Sequence, residues 1–200
     1  MKVLDLKGNV GMDMESDENF VRWHGSVTAA IAAPIDRTWQ IASDFSGLQK
    51  FVPIVEICER LKGRNRVPGC LRFYTLYSPS GLPGGRRKGW AKERLLVIDE
   101  GKHSYAYVVE GSNMNLGDCV VTFKASPSED DRHVETTVVD WSYVLSPLRK
   151  STREKTLCDM SEFGWTFIKG LEAAATAEVI DFEGSVFGGY AAQIRAGTIA

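Results

Sequence analysis

Leu157, Met160, Gly164, Phe167, Ile168, Leu171 and Ala175 recur at steps of three and four, the spacing of one long helix with a continuous apolar face. Ser151 or Thr152 stands where an N-cap belongs, with Glu154 and Lys155 just inside, so the pattern predicts a helix over 152–178. A helix this long with one apolar face must be covered by an apolar surface of similar length. The preceding chain supplies one. Stretches 54–60, 69–77, 90–99, 104–110, 119–125 and 133–143 are rich in branched and aromatic residues and read as six consecutive strands. Turn formers separate them: Lys62-Gly63-Arg64-Asn65, Gly101-Lys102, the polar 126–132 and the Gly/Pro-rich 78–85. A further strand is expected at 22–32. Pro34 then opens a short helix with Ile35, Trp39 and Ala42 on one face. Asp44-Phe45-Ser46-Gly47 breaks it, and 48–51 makes a second helical turn ended by Pro53.

The expected order is one strand, two short helices, six strands and one long helix. Strands in a run with helices grouped outside them indicate an α+β fold. A curved sheet of this size needs the long helix to cover its open face, and the space between them suits an internal ligand cavity. One domain is expected at 22–178, with a lead-in at 1–21 and a tail at 179–200.

Charge and composition remove several function classes. Lys and Arg number 24 against 26 Asp and Glu, a net charge of -2, which argues against a nucleic-acid partner. No apolar run has the length needed to cross a bilayer, and the acidic start lacks a signal-peptide core. Cys58, Cys70, Cys119 and Cys158 are far apart and read as four buried thiols of a cytoplasmic protein. His24, His103 and His133 are isolated from one another, so no metal site is expected. No GxSxG elbow or GK[ST] phosphate loop occurs. Gly84-Gly85-Arg86-Arg87-Lys88 reads as a solvated turn, with too few charges for stable membrane anchoring. The space between sheet and helix suits a small-molecule partner, and the oligomeric state is left open.

Two charges stand out by their neighbours. In a strand alternate residues share a face, which groups Arg72, Tyr74 and Leu76, and separately Ala91, Glu93, Leu95 and Val97. A lone carboxylate in an apolar row needs a partner if it is buried, and Arg72 on the neighbouring strand can serve. Such a pair either faces a ligand or is a plain structural ion pair. Tyr105 and Tyr107 share a face, as do Trp141 and Tyr143, and Phe163, Phe167 and Leu171 lie near one side of the long helix. Each suits either a core or a ligand space.

Several strings, in order, carry a resemblance: Trp23-His24-Gly25-Ser26-Val27, Asp44-Phe45 with Leu48 and Lys50, Cys58-Glu59, Gly69-Cys70-Leu71-Arg72, Trp90-Ala91-Lys92-Glu93 with Leu95, Ser104-Tyr105-Ala106-Tyr107 and Asp140-Trp141-Ser142. Over about 22–175 the chain resembles the START/Bet v 1-like helix-grip superfamily, the polyketide cyclase/dehydrase and lipid-transport proteins. Within it the chain is similar to the plant lachrymatory-factor synthases. The resemblance implies a curved antiparallel sheet of about seven strands around a long C-terminal helix. It also implies a cofactor-free isomerase or lyase that rearranges an alkenyl sulfenic acid to a thial S-oxide. The family's active-centre arginine and glutamate match Arg72 and Glu93, the glutamate moving a proton and the arginine holding the oxygen. Tyr107 and Trp141 match family cavity residues, and Leu116 stands where the family has another tyrosine.

The plant abscisic-acid receptors are similar at Gly69-Cys70-Leu71-Arg72, at Glu93-Arg94-Leu95 and at the gate string Ser80-Gly81-Leu82-Pro83. Their His-Arg-Leu latch is replaced by Asn113-Met114-Asn115, and their ligand-anchoring lysine has no obvious counterpart. This second resemblance implies the alternative of a non-catalytic binding or transport protein for an apolar ligand such as a lipid, sterol or hormone. Arg72 and Glu93 are the expected catalytic residues; Tyr74, Leu82, Tyr107, Leu116, Trp141, Phe163 and Phe167 are the expected ligand contacts.

Overall fold

The computed structural model describes residues 22–77, 88–114, 116–128 and 135–177. The expected lead-in and tail, and the 78–87 segment with Leu82, lie outside these residues. The chain forms β1 (Trp23–Ile31), α1 (Ile35–Ala42), a 3-10 turn (Leu48–Lys50), β2 (Val55–Lys62), β3 (Leu71–Tyr77), β4 (Lys88–Asp99), β5 (Ser104–Ser112), β6 (Val120–Pro127), β7 (Thr137–Leu145) and α2 (Arg153–Thr176). The strands make one antiparallel sheet in the order β1-β7-β6-β5-β4-β3-β2. Consecutive strands from β2 to β7 are neighbours, and β1 closes the far edge beside β7. This is the helix-grip arrangement.

The sheet has a dry face because the alternation is kept. On β7, Thr137, Val139, Trp141, Tyr143 and Leu145 are buried, and the residues between them are not. Tyr105, Tyr107 and Val109 on β5, with Val121, Phe123 and Ala125 on β6, continue that face. α2 closes it with Met160, Gly164, Phe167, Ile168 and Leu171. The Phe167 ring meets Phe51 at 5.2 Å and Phe123 at 5.9 Å. The Thr152 hydroxyl caps α2 by accepting from the Lys155 amide at 3.2 Å, satisfying one of the orphan donors of its first turn. No helix among the described residues is long and apolar enough to cross a membrane.

Two expectations are corrected. Alternation places Val97 with Ala91, Glu93 and Leu95, but it is 52% exposed. The β4–β5 register shifts between Leu95 and Val97. That irregularity turns Val97 to the opposite face, because strand alternation is lost wherever one residue is inserted. The second correction is Cys158, which is exposed, whereas Cys58, Cys70 and Cys119 are buried. Cys158 lies off the apolar stripe, on the polar side of α2, with its thiol 3.9 Å from Glu162 Oε1.

α2 approaches the 3-10 segment very closely at Gly170. A Cβ there would sit 2.0 Å from the Phe51 carbonyl oxygen, a main-chain atom that cannot swing aside. Gly170→Ala is therefore expected to destabilise the protein by about 1–3 kcal/mol in urea denaturation. The neighbouring exposed change Lys169→Ala should stay within about 0.5 kcal/mol of the parent. Equal stability of the two variants would contradict this contact.

Candidate functional site

Arg72 and Glu93 sit directly opposite each other in the β3–β4 ladder. The alternation that points Tyr74 and Leu76 inward also points Arg72 inward, and Ala91 and Leu95 do the same for Glu93. Both charges are 2% exposed. Arg72 Nε donates to Glu93 Oε2 at 2.7 Å, and Nη2 stands 2.6 Å from the same oxygen. The other carboxylate oxygen, Oε1, accepts from the Tyr74 hydroxyl at 2.9 Å. Both oxygens of Glu93 are thus engaged from within the protein.

A third element completes the enclosure. Arg72 Nη1 donates to the Phe45 carbonyl oxygen at 2.6 Å, and the Phe45 ring lies 4.0 Å from the guanidinium carbon. The Tyr107 ring stands 5.1 Å away on another side. Aromatic faces attract a guanidinium through their quadrupole. The segment carrying Phe45 is itself tied down. Asp44 accepts from Lys50 Nζ at 2.6 Å and from Asn65 Nδ2 at 2.7 Å, and Asn65 Oδ1 accepts from the Ser46 amide at 3.0 Å. The β2–β3 turn thereby holds the end of α1 over the ion pair.

Burial and neighbouring charge set the protonation states. Burial is the largest single influence and opposes the charge on Arg72, but the Glu93 carboxylate together with Tyr107, Cys58 and Tyr105 outweighs it and holds the guanidinium pKa above its ordinary value. Burial, reinforced by Glu93, pushes the Tyr74 and Tyr107 hydroxyls well above the usual phenol range. Burial also raises Tyr105 and the Cys58 thiol, and lifts the Cys119 thiol to about 12. The pair is therefore ringed by neutral hydroxyls and thiols.

Of the expected ligand contacts, Tyr74 and Tyr107 join the pair directly. Trp141 and Phe163 do not. They form a separate aromatic cluster between β7 and α2, with ring centroids 5.9 Å apart and Gly164 against the indole edge. The indole Nε1 of Trp141 is buried without a hydrogen-bond partner among the described residues. Phe167 lies in the core between Phe51 and Phe123, and Leu116 packs partly buried against that core. Phe45 is not among the expected site residues, although it stands in the helix break and in the Asp44-Phe45 string that carries the resemblance. It acts through its main-chain carbonyl, which residue type does not reveal. The spacing of Asp44 and Lys50 was the available hint that this segment is held in place.

The arrangement is a charge-neutral, internally bonded polar centre in an aromatic surround. Among the described residues no three His, Cys, Asp or Glu side chains converge as metal ligands.

Residues 22–170 match the family model described as polyketide cyclase / dehydrase and lipid transport. The abscisic acid receptor PYL6 of Arabidopsis thaliana is 29% identical over 132 residues, which cover 65% of this chain and 58% of the receptor. The match thus spans less than two thirds of that relative's length. Ginseng major latex-like protein 151 from Panax ginseng aligns with a TM-score of 0.62 at 18% identity, covering 78% of this chain and 99% of its own. The protein XoxI from Bacillus cereus gives the same score and identity, covering 76% and 95%. At this identity the two structures show a shared fold.

The buried tyrosines predict a loss of stability in alkali. Their hydroxyl pKa values are raised above the ordinary 10.0 in the folded chain. The unfolded chain therefore releases these protons first, and their stabilising contribution, complete below about pH 10, falls as pH rises above it. Each such group adds a slope of about 1.4 kcal/mol per pH unit. Urea titrations from pH 8 upward should show this fall, and Tyr107→Phe should flatten it by about one group. Phenolate absorbance from all six tyrosines in a still-folded protein near pH 10 would contradict the account.

Proposed function

The chain belongs to the polyketide cyclase / dehydrase and lipid transport family, and we propose that it binds a small, largely apolar molecule between the sheet and α2, with the Arg72–Glu93 pair as the polar end of the site. The observation that carries this reading is the closure of the pair. A general base must be within reach of the proton it takes, and both Glu93 oxygens are already occupied by Arg72 and Tyr74. A fixed, neutral dipole among aromatic rings orients a ligand without reacting with it. The likeness to an abscisic acid receptor supports binding over catalysis.

The same pair favours a second reading. Glu93, Arg72 and Tyr74 form a continuous hydrogen-bonded chain, and swinging Tyr74 aside would free one carboxylate oxygen. In that case Glu93 carries a proton from the sulfenic oxygen of an alkenyl sulfenic acid to its carbon, Arg72 holds the oxygen, and no cofactor takes part.

Two measurements separate these readings. Titration with the neutral fluorophore 1-aminoanthracene should give saturable binding at one site per chain, with a blue-shifted emission. Absence of saturation would remove the binding reading. In parallel, 1-propenyl sulfenic acid is generated in situ and thial S-oxide followed by mass spectrometry. The binding reading expects no product above the spontaneous background. Product formed by the parent and lost in Glu93→Gln would establish the catalytic reading in its place.

A further inference from the structure

Arg72 is the one buried cation among the described residues, for every described lysine is exposed. Its charge is already balanced by Glu93 at 2.6 Å, and the carboxylate's second oxygen is taken by Tyr74. A ligand carboxylate would therefore meet no spare buried positive charge among the described residues. It would instead stand beside Glu93 as a second buried anion, and an uncompensated buried charge is strongly disfavoured.

Hydrogen-bond donors, in contrast, are in surplus. A guanidinium has more N–H groups than the three contacts of Arg72 to Glu93 and Phe45 use. Trp141 Nε1, on the same sheet face, is a buried donor with no hydrogen-bond partner among the described residues. A buried donor left unmatched costs free energy that an acceptor atom on a ligand would recover.

Resting on the binding reading above, we infer that the site selects its ligand by charge: it takes an uncharged molecule carrying an acceptor oxygen, such as a ketone, ester or sulfoxide, and discriminates against a carboxylate of the same shape. Neutral acceptors satisfy the free donors and leave the Arg72–Glu93 balance intact.

The test is displacement of 1-aminoanthracene at about pH 7 by octanoic acid and by its methyl ester. The ester should compete at least about ten-fold more tightly than the octanoate anion. In Glu93→Gln the Arg72 charge is released, and the order should reverse in favour of octanoate. Should that variant fail to fold, the double variant Arg72→Gln with Glu93→Gln restores neutrality and should keep the parent's preference for the ester. Octanoate binding as tightly as the ester to the parent would overturn the inference and leave the binding reading standing. So would displacement by neither compound. If 1-aminoanthracene itself does not bind, the binding reading fails, and this inference with it.

Discussion

The Arg72 guanidinium is held in a place that water scarcely reaches, and the surrounding elements are arranged so that it is never alone there. Glu93 faces it across the β3–β4 ladder, Tyr74 engages the far carboxylate oxygen, and the Phe45 carbonyl caps the opposite side. Isolated, either charge would be too costly to bury. Together they fix the register of β3 against β4, since a slip of one residue would turn both to opposite faces. They also require the end of α1 to lie over the sheet, which the Asp44, Asn65 and Lys50 contacts secure.

From this centre the site divides in two. On β3 to β5 lie the ion pair and the tyrosines kept protonated by burial. On β7 and α2 lie Trp141 and Phe163, joined by ring contact and without charge. The helix-grip fold places these two regions on one sheet face, so that a molecule lodged under α2 would meet a polar centre at one part and an aromatic wall at another. Members of one fold can bind or catalyse with the same frame. The condition of Glu93 decides between these roles, because an engaged carboxylate orients a ligand and a released one moves protons.

Much of this was legible in the residue order. The α2 stripe, its Thr152 cap and the strict alternation on β7 each repeat over several turns or pleats, so local pattern and tertiary burial agree. The Arg72–Glu93 pairing was legible because one charge in an apolar row demands an answer nearby. What escaped depends on the main chain or on a single shift. The β4 irregularity that exposes Val97 has no residue signature. The Phe45 carbonyl belongs to the backbone, and the orientation of Cys158 follows from its angle on α2, overriding the usual burial of cysteine.

The central claim is that Arg72 and Glu93 act as one closed unit, and a double-mutant cycle of stability tests it most directly. Arg72→Met and Glu93→Leu should each lose about 3–5 kcal/mol, because each strands a buried charge. The double variant should lose far less than the sum and lie closer to the parent than either single variant. Losses that add, with the double variant the least stable of the three, would contradict the account.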